Sequence, residues 1–341
     1  MKLESNRSTT PARLIQTLQA CRTVYFCGLS KNAGKTVALR QAMCEARQAD
    51  IRTAVTSIGR DGEAFDAIYS EFAKPLVCFE PGDLVVTSEG LLLGSDACDI
   101  VRRFGIASPV GPIAAARVTS PCTIEVAGPS TVNGLRMVQS WVMANGVDLF
   151  LVDGALDRKA ASLPDVCDGI VVSSGAAVSD CLEDVLLQTR SAIDMLRIPS
   201  DDTADSEPRV MFSPVFDSEE ALRGAFAASV GYALTVEVQG AVTEKLVDFL
   251  MHEGLFARCR IVADCFAKVF INRKRWADYR RRGLNIAYRR GIRVLSLTVN
   301  PVSPSGPGFE PVSFLESMRR TIPEIPVFDV CATHYGAAGK A

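Results

Sequence analysis

Short, continuous apolar runs recur along this chain, each ending in a turn of small and polar residues and giving way to helical periodicity. Runs at 23–28, 52–59, 82–87, 148–152 and 169–173 predict strands covered on both faces. Between them, apolar positions three and four apart predict helices at 11–20, 37–48, 96–104, 132–144 and 178–197. Segments 110–118 and 122–127 predict a hairpin or a pair of strands, Ser130 or Thr131 caps the helix that starts at 132, and Ser179 caps the one that starts near 178. Buried strands alternating with helices define the expected fold class: α/β, with a doubly wound, mostly parallel sheet.

Residues 199–208 interrupt this rhythm. They are acidic, bounded by Pro199 and Pro208, and lack large apolar side chains, which marks a linker. A second α/β unit is expected over 209–335, with strands near Val210, Leu234, Ile261, Val294 and Val327 and helices at 243–251 and 311–320. The expected division is therefore a first domain at 1–198, the linker at 199–208, a C-terminal α/β domain at 209–335 and a small polar tail at 336–341.

Composition narrows the class without changing it. A chain of 341 residues with a net charge of −2 has room for two domains and carries no polyelectrolyte signature. No apolar run approaches the ~18 residues of a membrane span, and residues 1–13 lack the apolar core of a signal peptide. The eleven cysteines are an odd number without CxxC spacing, which predicts reduced thiols and a cytoplasmic setting. His252 with Cys259 and Cys265, or Cys331 with His334, matches no zinc spacing.

The chemistry begins where the first strand feeds Gly28-Leu-Ser-Lys-Asn-Ala-Gly-Lys-Thr36 and a helix follows. Backbone N–H groups of such a turn and of the next helix form an anion cradle, to which Lys35 adds charge and Thr36 a Mg²⁺-ligating hydroxyl. A P-loop of NTPase type is thus expected, with Ser30, Lys31, Asn32, Ala33, Gly34, Lys35, Thr36 and Val37 binding nucleotide. The strict G-x-x-x-x-G-K-[ST] spacing requires Gly at 29, where this chain has Leu29; Gly28 stands one position early. The competing reading is a tight βα turn with a surface lysine.

In an open parallel sheet, ligands bind beyond the carboxyl ends of the strands. That edge gathers the turns at 30–36, 57–63, 127–133, 153–158 and 173–179. Asp153 ends an apolar strand, the position of a carboxylate that holds Mg²⁺ directly or through water. Asp61, with Glu63 beside it, could complete the metal shell or position a water. Lys35, Asp153 and Asp61 are the catalytic candidates, and Thr36, Asp61 and Asp153 the metal set. Each carboxylate could instead be a turn residue or helix cap. Arg60 and Arg158 could steady phosphate charge.

No N-K-x-D motif follows a strand, so the guanine reader of regulatory GTPases is missing and ATP is preferred by elimination. Asn300, in Thr298-Val-Asn-Pro301, could read adenine or simply form an Asn-Pro turn. Residues 271–293 hold nine Lys/Arg and one acid, interleaved with Trp276, Tyr279 and Tyr288. A docking face for an acidic partner, or a solvated helix face, is favoured there over nucleic-acid binding, because the whole chain is slightly acidic.

The loop at 28–36 resembles that of dethiobiotin synthetase and cobyric-acid synthase type enzymes. A broader resemblance is to the P-loop subunit of the reactivating factor for B12-dependent lysine 5,6-aminomutase. It runs through Lys31-Asn-Ala-Gly-Lys-Thr36, Thr56-Ser-Ile-Gly-Arg-Asp-Gly-Glu63, Gly82-Asp-Leu-Val-Val-Thr87 and Val126-Ala-Gly-Pro129. It continues in Leu151-Val-Asp-Gly-Ala-Leu-Asp-Arg158, residues 168–176, Gly240-Ala-Val-Thr243 and Leu297-Thr-Val-Asn-Pro-Val-Ser-Pro-Ser-Gly306. The resemblance implies an ATP- and Mg²⁺-dependent chaperone-like switch that ejects damaged cobalamin from an aminomutase, together with a second, larger ATPase subunit. It implies that Lys35 and Thr36 hold phosphates and Mg²⁺ while Asp61 and Asp153 complete the metal site. The alternatives are an ATP-dependent ligase of dethiobiotin synthetase type and a nucleotide-binding scaffold that does not hydrolyse. A homodimer is left open.

Overall fold

The computed structural model describes residues 13–58, 76–94, 96–156, 163–201, 208–215, 217–229, 233–304 and 306–331. The first half contributes α1 (Leu14–Leu18), β1 (Thr23–Gly28), α2 (Lys35–Gln48) and β2 (Thr53–Ser57). It continues with β3 (Val77–Phe79), β4 (Leu84–Ser88), α3 (Glu89–Leu92), β5 (Cys98–Ser108), β6 (Gly111–Val118) and β7 (Cys122–Ile124). It closes with α4 (Val132–Ala144), β8 (Leu149–Asp153), β9 (Gly169–Gly175) and α5 (Leu182–Leu196).

A second run of elements follows: β10 (Arg209–Phe212), α6 (Glu219–Ala228), β11 (Leu234–Val238), β12 (Val242–Thr243) and α7 (Glu244–His252). Then come β13 (Cys259–Ala263), β14 (Val269–Phe270), α8 (Arg273–Arg281) and β15 (Asn285–Tyr288). The last described elements are β16 (Val294–Asn300), α9 (Pro311–Thr321) and β17 (Val327–Asp329).

The expected α/β class holds, with a large, mostly parallel sheet. Nine strands lie in the order β17-β16-β9-β1-β8-β2-β4-β6-β5, antiparallel only where β6 meets β4 and β5. Strand alternation feeds two cores. Tyr25 and Cys27 of β1, with Phe150 and Val152 of β8, pack beneath α4, α5 and α9. Val24 and Phe26, with Leu149 and Leu151, pack on the other face beneath α1 and α2. Burying both faces explains why these strands read as unbroken apolar runs.

The domain division differs from the expected one. Residues 209–288 build a separate four-stranded parallel sheet, β10-β11-β13-β15. The chain then returns to the main sheet, where β16 pairs in parallel with β9 and β17 with β16. The second unit is therefore an insertion between α5 and β16, not a C-terminal domain reaching 335. Ser173 and Thr298, both fully buried, join hydroxyls at 2.8 Å across the β9–β16 pair and so satisfy each other. The expected linker is partly fixed as well. Ser200 bridges to Tyr288, and the Asp201 N–H donates to the Tyr288 carbonyl at 2.7 Å. Residues 202–207 lie outside the described residues.

The expected helix at 96–104 is instead the edge strand β5, hairpinned onto β6. Its even positions Cys98, Ile100, Phe104 and Ile106 are half-buried while neighbouring odd positions face solvent, which is the period of a strand. Register shifts around Arg102 and Arg103 break that alternation and leave a charge pattern that reads as helical. Residues 122–124 pair with β3 rather than with β6. Of the expected caps, Thr131 accepts from the Gly134 N–H at 3.1 Å, whereas α5 begins after Cys181, which makes no side-chain cap.

Among the described residues no helix is long and apolar enough to cross a membrane. All eleven cysteines are free.

Candidate nucleotide site

The central strand β1 lies between β8 and β9, so the loop that leaves its carboxyl end stands at the middle of the sheet. Register fixes its neighbours. Phe26 sits opposite Asp153, Ser57 opposite Asp153, Gly28 opposite Ser173, and Asn300 opposite Gly175. The ends of five strands, β2, β8, β1, β9 and β16, thus surround the loop at 29–34.

The loop turns through two left-handed residues, Asn32 at φ 64° and Gly34 at φ 93°. Gly34 is the residue before α2 and provides no side-chain cap. A Cβ there would meet the Asn300 Cβ at 2.9 Å, so both the dihedral and the space require glycine. The first turn of α2 holds no acidic residue, leaving its N-terminal N–H groups and their dipole for an external anion.

Lys35, the first helical residue, places Nζ 2.9 Å from Asp153 Oδ1 and donates to the Gly154 carbonyl at 3.1 Å. Both side chains are only about a quarter exposed, at 27% and 22%. Gly154 lies under the Tyr25 ring, whose hydroxyl donates to the Ala155 carbonyl at 2.8 Å, so the turn after β8 is fixed from below. Ser30 Oγ is buried with no hydrogen-bond partner among the described residues, an arrangement that ordinarily costs about 1–3 kcal/mol. Such an atom, beside free helix N–H groups, suits an oxygen-rich anion.

The structure brings Ser30 to Val37 and Asp153 together at one sheet edge. Asp61, Glu63, Arg60 and Arg158 lie outside the described residues. Lys31 and Asn32 are exposed at the loop tip, and Ala33 is buried. Asn300 is at the site, but its amide is committed. Nδ2 donates to the Asn32 carbonyl at 3.3 Å, while Oδ1 accepts from the Val302 N–H at 3.0 Å and from Cys331 Sγ at 3.2 Å. It braces the loop through both amide atoms, with one Nδ2 N–H left over.

The basic segment at 271–293 also reads differently in three dimensions. Trp276, Tyr279 and Tyr288 are fully buried, so they cannot act as stacking platforms for bases. Most of its cations are paired within the chain. Lys274 meets Asp184 at 2.8 Å, Arg275 meets Glu244 and Asp248, Arg282 meets Asp278 at 2.9 Å, and Arg290 meets Asp264 and Asp165. Arg275 also lies 5.0 Å from the centroid of the Tyr279 ring. Arg280 and Arg293 instead donate to the backbone carbonyls of Leu284 and Asp168, and Arg273 makes a longer-range contact of that kind. It reaches back across the fold and donates from Nη1 to the carbonyl of Leu29, in the first turn of the candidate phosphate loop, at 3.2 Å. No local pattern signals this contact, because 244 residues separate the partners.

Burial pushes the Cys27 thiol, beneath the loop, up to about 12, against the opposing pull of Lys35 and Arg273. Burial likewise lowers the pKa of Arg273, and no carboxylate offsets it. The chain matches no protein-family model and no curated protein sequence.

Proposed function

We propose that this chain binds Mg-ATP at the 28–36 loop and uses slow hydrolysis as a conformational switch. The observation that carries the reading is the Lys35–Asp153 ion pair. It joins the first residue of the helix after β1 to the last residue of β8, on the ligand-binding edge of a parallel sheet. A lysine at the start of a helix and a carboxylate at the end of an adjacent strand are the partners a phosphate chain and its metal need.

The residues present fit that group. Ser30 Oγ and the N-terminal N–H groups of α2 would receive phosphate oxygens, and Lys35 would exchange its carboxylate partner for phosphate. Thr36 and Asp153 offer the hard oxygen ligands that Mg²⁺ prefers. Asp61 joins this set by sequence position. When bound, Mg²⁺ would neutralise charge that develops on the transferring phosphoryl group. ATP is preferred over GTP because no guanine-reading motif follows a strand.

The motif resemblance across both halves supports a particular switch: a reactivating-factor subunit for an adenosylcobalamin-dependent aminomutase, lysine 5,6-aminomutase being the candidate client. A second ATPase subunit would act with it. For nucleotide to drive cofactor release, the two nucleotide states must bind the client with different affinities; equal affinities shift nothing. The test combines the purified chain, the second subunit and the aminomutase loaded with inactive cobalamin. Hydrolysis that accelerates with release of the damaged cofactor supports the proposal. Hydrolysis indifferent to client and partner, with phosphorylation or ligation of a small carboxylate or amine, refutes it.

A further inference from the structure

Arg273 is the partly buried cation of α8 that reaches the candidate loop. Its helix is anchored on all sides. The Asn272 side chain caps α8 by accepting from the Lys274 N–H at 2.9 Å, and the Asn272 N–H is held by Glu244 at 2.7 Å. Trp276 and Tyr279, one and two turns on, are buried in the core of the inserted unit. With its helix so fixed, the position of Arg273 follows from the packing of the whole unit rather than from a mobile side chain.

Its neighbours Lys274 and Arg275 each have a carboxylate within ion-pair distance, whereas Arg273 has none among the described residues. A guanidinium offers five N–H donors, and the Leu29 carbonyl takes one of them. Near the loop, Lys35 is neutralised by Asp153, and Lys31 is exposed, where solvent screens its charge. Arg273 is therefore the partly buried, uncompensated charge at the loop. Holding a cation out of water without a counter-ion is unfavourable unless an anion arrives.

We infer that Arg273 is a phosphate ligand supplied by the inserted unit, contacting the terminal charge of the nucleotide at the 28–36 loop, so that the unit senses how many phosphates are present. This rests on the nucleotide reading above. Its consequence is specific. A triphosphate offers the guanidinium a strong charge-assisted partner, a diphosphate offers less, and the difference is transmitted to α8 and the sheet it packs on.

The experiment compares the affinity of the full chain, Arg273→Gln, Arg273→Lys and Lys35→Ala for Mg-ATP and Mg-ADP by titration calorimetry, with melting curves for each variant. Arg273→Gln keeps an amide donor near Leu29 but loses the charge. We expect it to bind Mg-ATP about tenfold more weakly while its Mg-ADP affinity changes by less than about threefold, with Arg273→Lys in between. Equal losses for both nucleotides, or none, while Lys35→Ala weakens both, would overturn the assignment of Arg273 and leave the loop reading standing. Unchanged nucleotide affinity in folded Lys35→Ala would remove the loop reading, and this inference with it. Should Arg273→Gln melt below the assay temperature, Arg273→Lys decides. It preserves the charge but not the planar fork, so a selective fall in ATP affinity supports the inference and an unchanged affinity overturns it.

Discussion

Replacing Asn300 with alanine separates two roles that the sequence left open, loop brace and base reader. The substitution keeps the Cβ that packs against Gly34, so the loop does not collapse into a void. It removes three hydrogen bonds: 3.3 Å to the Asn32 carbonyl, 3.0 Å from Val302 and a weaker one from Cys331. A neutral hydrogen bond contributes about 0.5–1.5 kcal/mol net, and a long, solvent-facing one falls at the low end. The Val302 and Cys331 contacts order the chain after β16; the Asn32 contact alone acts on the phosphate loop. That bond helps hold Asn32 left-handed at φ 64°, a conformation that asparagine tolerates better than most non-glycine residues but that still gains from a tether. Losing it should relax the loop by roughly 0.5–1 kcal/mol, which is about a two- to fivefold weaker affinity. A brace acts on the cradle, so Mg-ATP, Mg-GTP and Mg-tripolyphosphate should all weaken by the same factor in titration calorimetry. A loss confined to ATP, with GTP and tripolyphosphate unchanged, would refute the brace and restore Asn300 as a base reader.

Lys35→Ala should weaken Mg-ATP binding by about 10- to 100-fold, because charge-assisted contacts to phosphate are the strong ones. Its melting curve should shift by no more than about 1 kcal/mol of stability, since the ion pair to Asp153 is partly solvated. Asp153→Asn is nearly isosteric and should leave the fold and most nucleotide affinity in place while lowering single-turnover hydrolysis roughly 100-fold; normal turnover per folded molecule would make Asp153 a structural residue. Reversing Arg281 and Arg282 to Glu, at 78% and 56% exposure, should spare basal hydrolysis and weaken partner association in a salt-dependent way, read by surface plasmon resonance at two ionic strengths. Burial pushes the thiols of Cys27, Cys167 and Cys259 up to about 12, which leaves roughly one thiolate in ten thousand at pH 8. Iodoacetamide should therefore label exposed Cys44 and Cys181 first, and those three only after denaturant, as followed by mass spectrometry.

The strands that line the site were legible because each is covered on both faces and reads as an unbroken apolar run. Residues 149–153 and 169–175 differ from the expected bounds by a residue or two at their ends. The turn between β1 and α2 was legible from its own nine residues. What escaped was everything set by distant pairing. The run at 294–300 is visibly a strand, but nothing local tells it to pair with β9 rather than with β15, its neighbour in sequence. The glycine at the end of β9 is the physical counterpart of that choice. A Cβ on Gly175 would lie 2.1 Å from the Asn300 carbonyl, so the close approach of β16 requires glycine there. Arg273 was hidden for the same reason, as one of nine cations in a run whose other members mostly find partners at home.

The return of β16 gives the proposed switch its physical logic. The inserted unit leaves the main sheet after α5 and re-enters it at β16, whose first residue Val294 pairs with Ile170 at the edge opposite the candidate loop, so it meets the loop through side chains rather than through its connections. At the far end of the returning strand, Asn300 closes β16 and holds the Asn32 carbonyl. Inside the unit, Arg273 opens α8 and holds the Leu29 carbonyl. On the exit side, Asp184, in the first turn of α5, holds Lys274 next to Arg273. The loop is thus gripped at its first residue from within the insertion and at its fourth from the strand that follows it. A change in charge within the loop bears directly on the first two contacts, and the buried packing of Trp276 and Tyr279 leaves α8 little freedom to absorb it locally. The second sheet should then move as a body or not at all, which is the bistable behaviour a nucleotide switch needs.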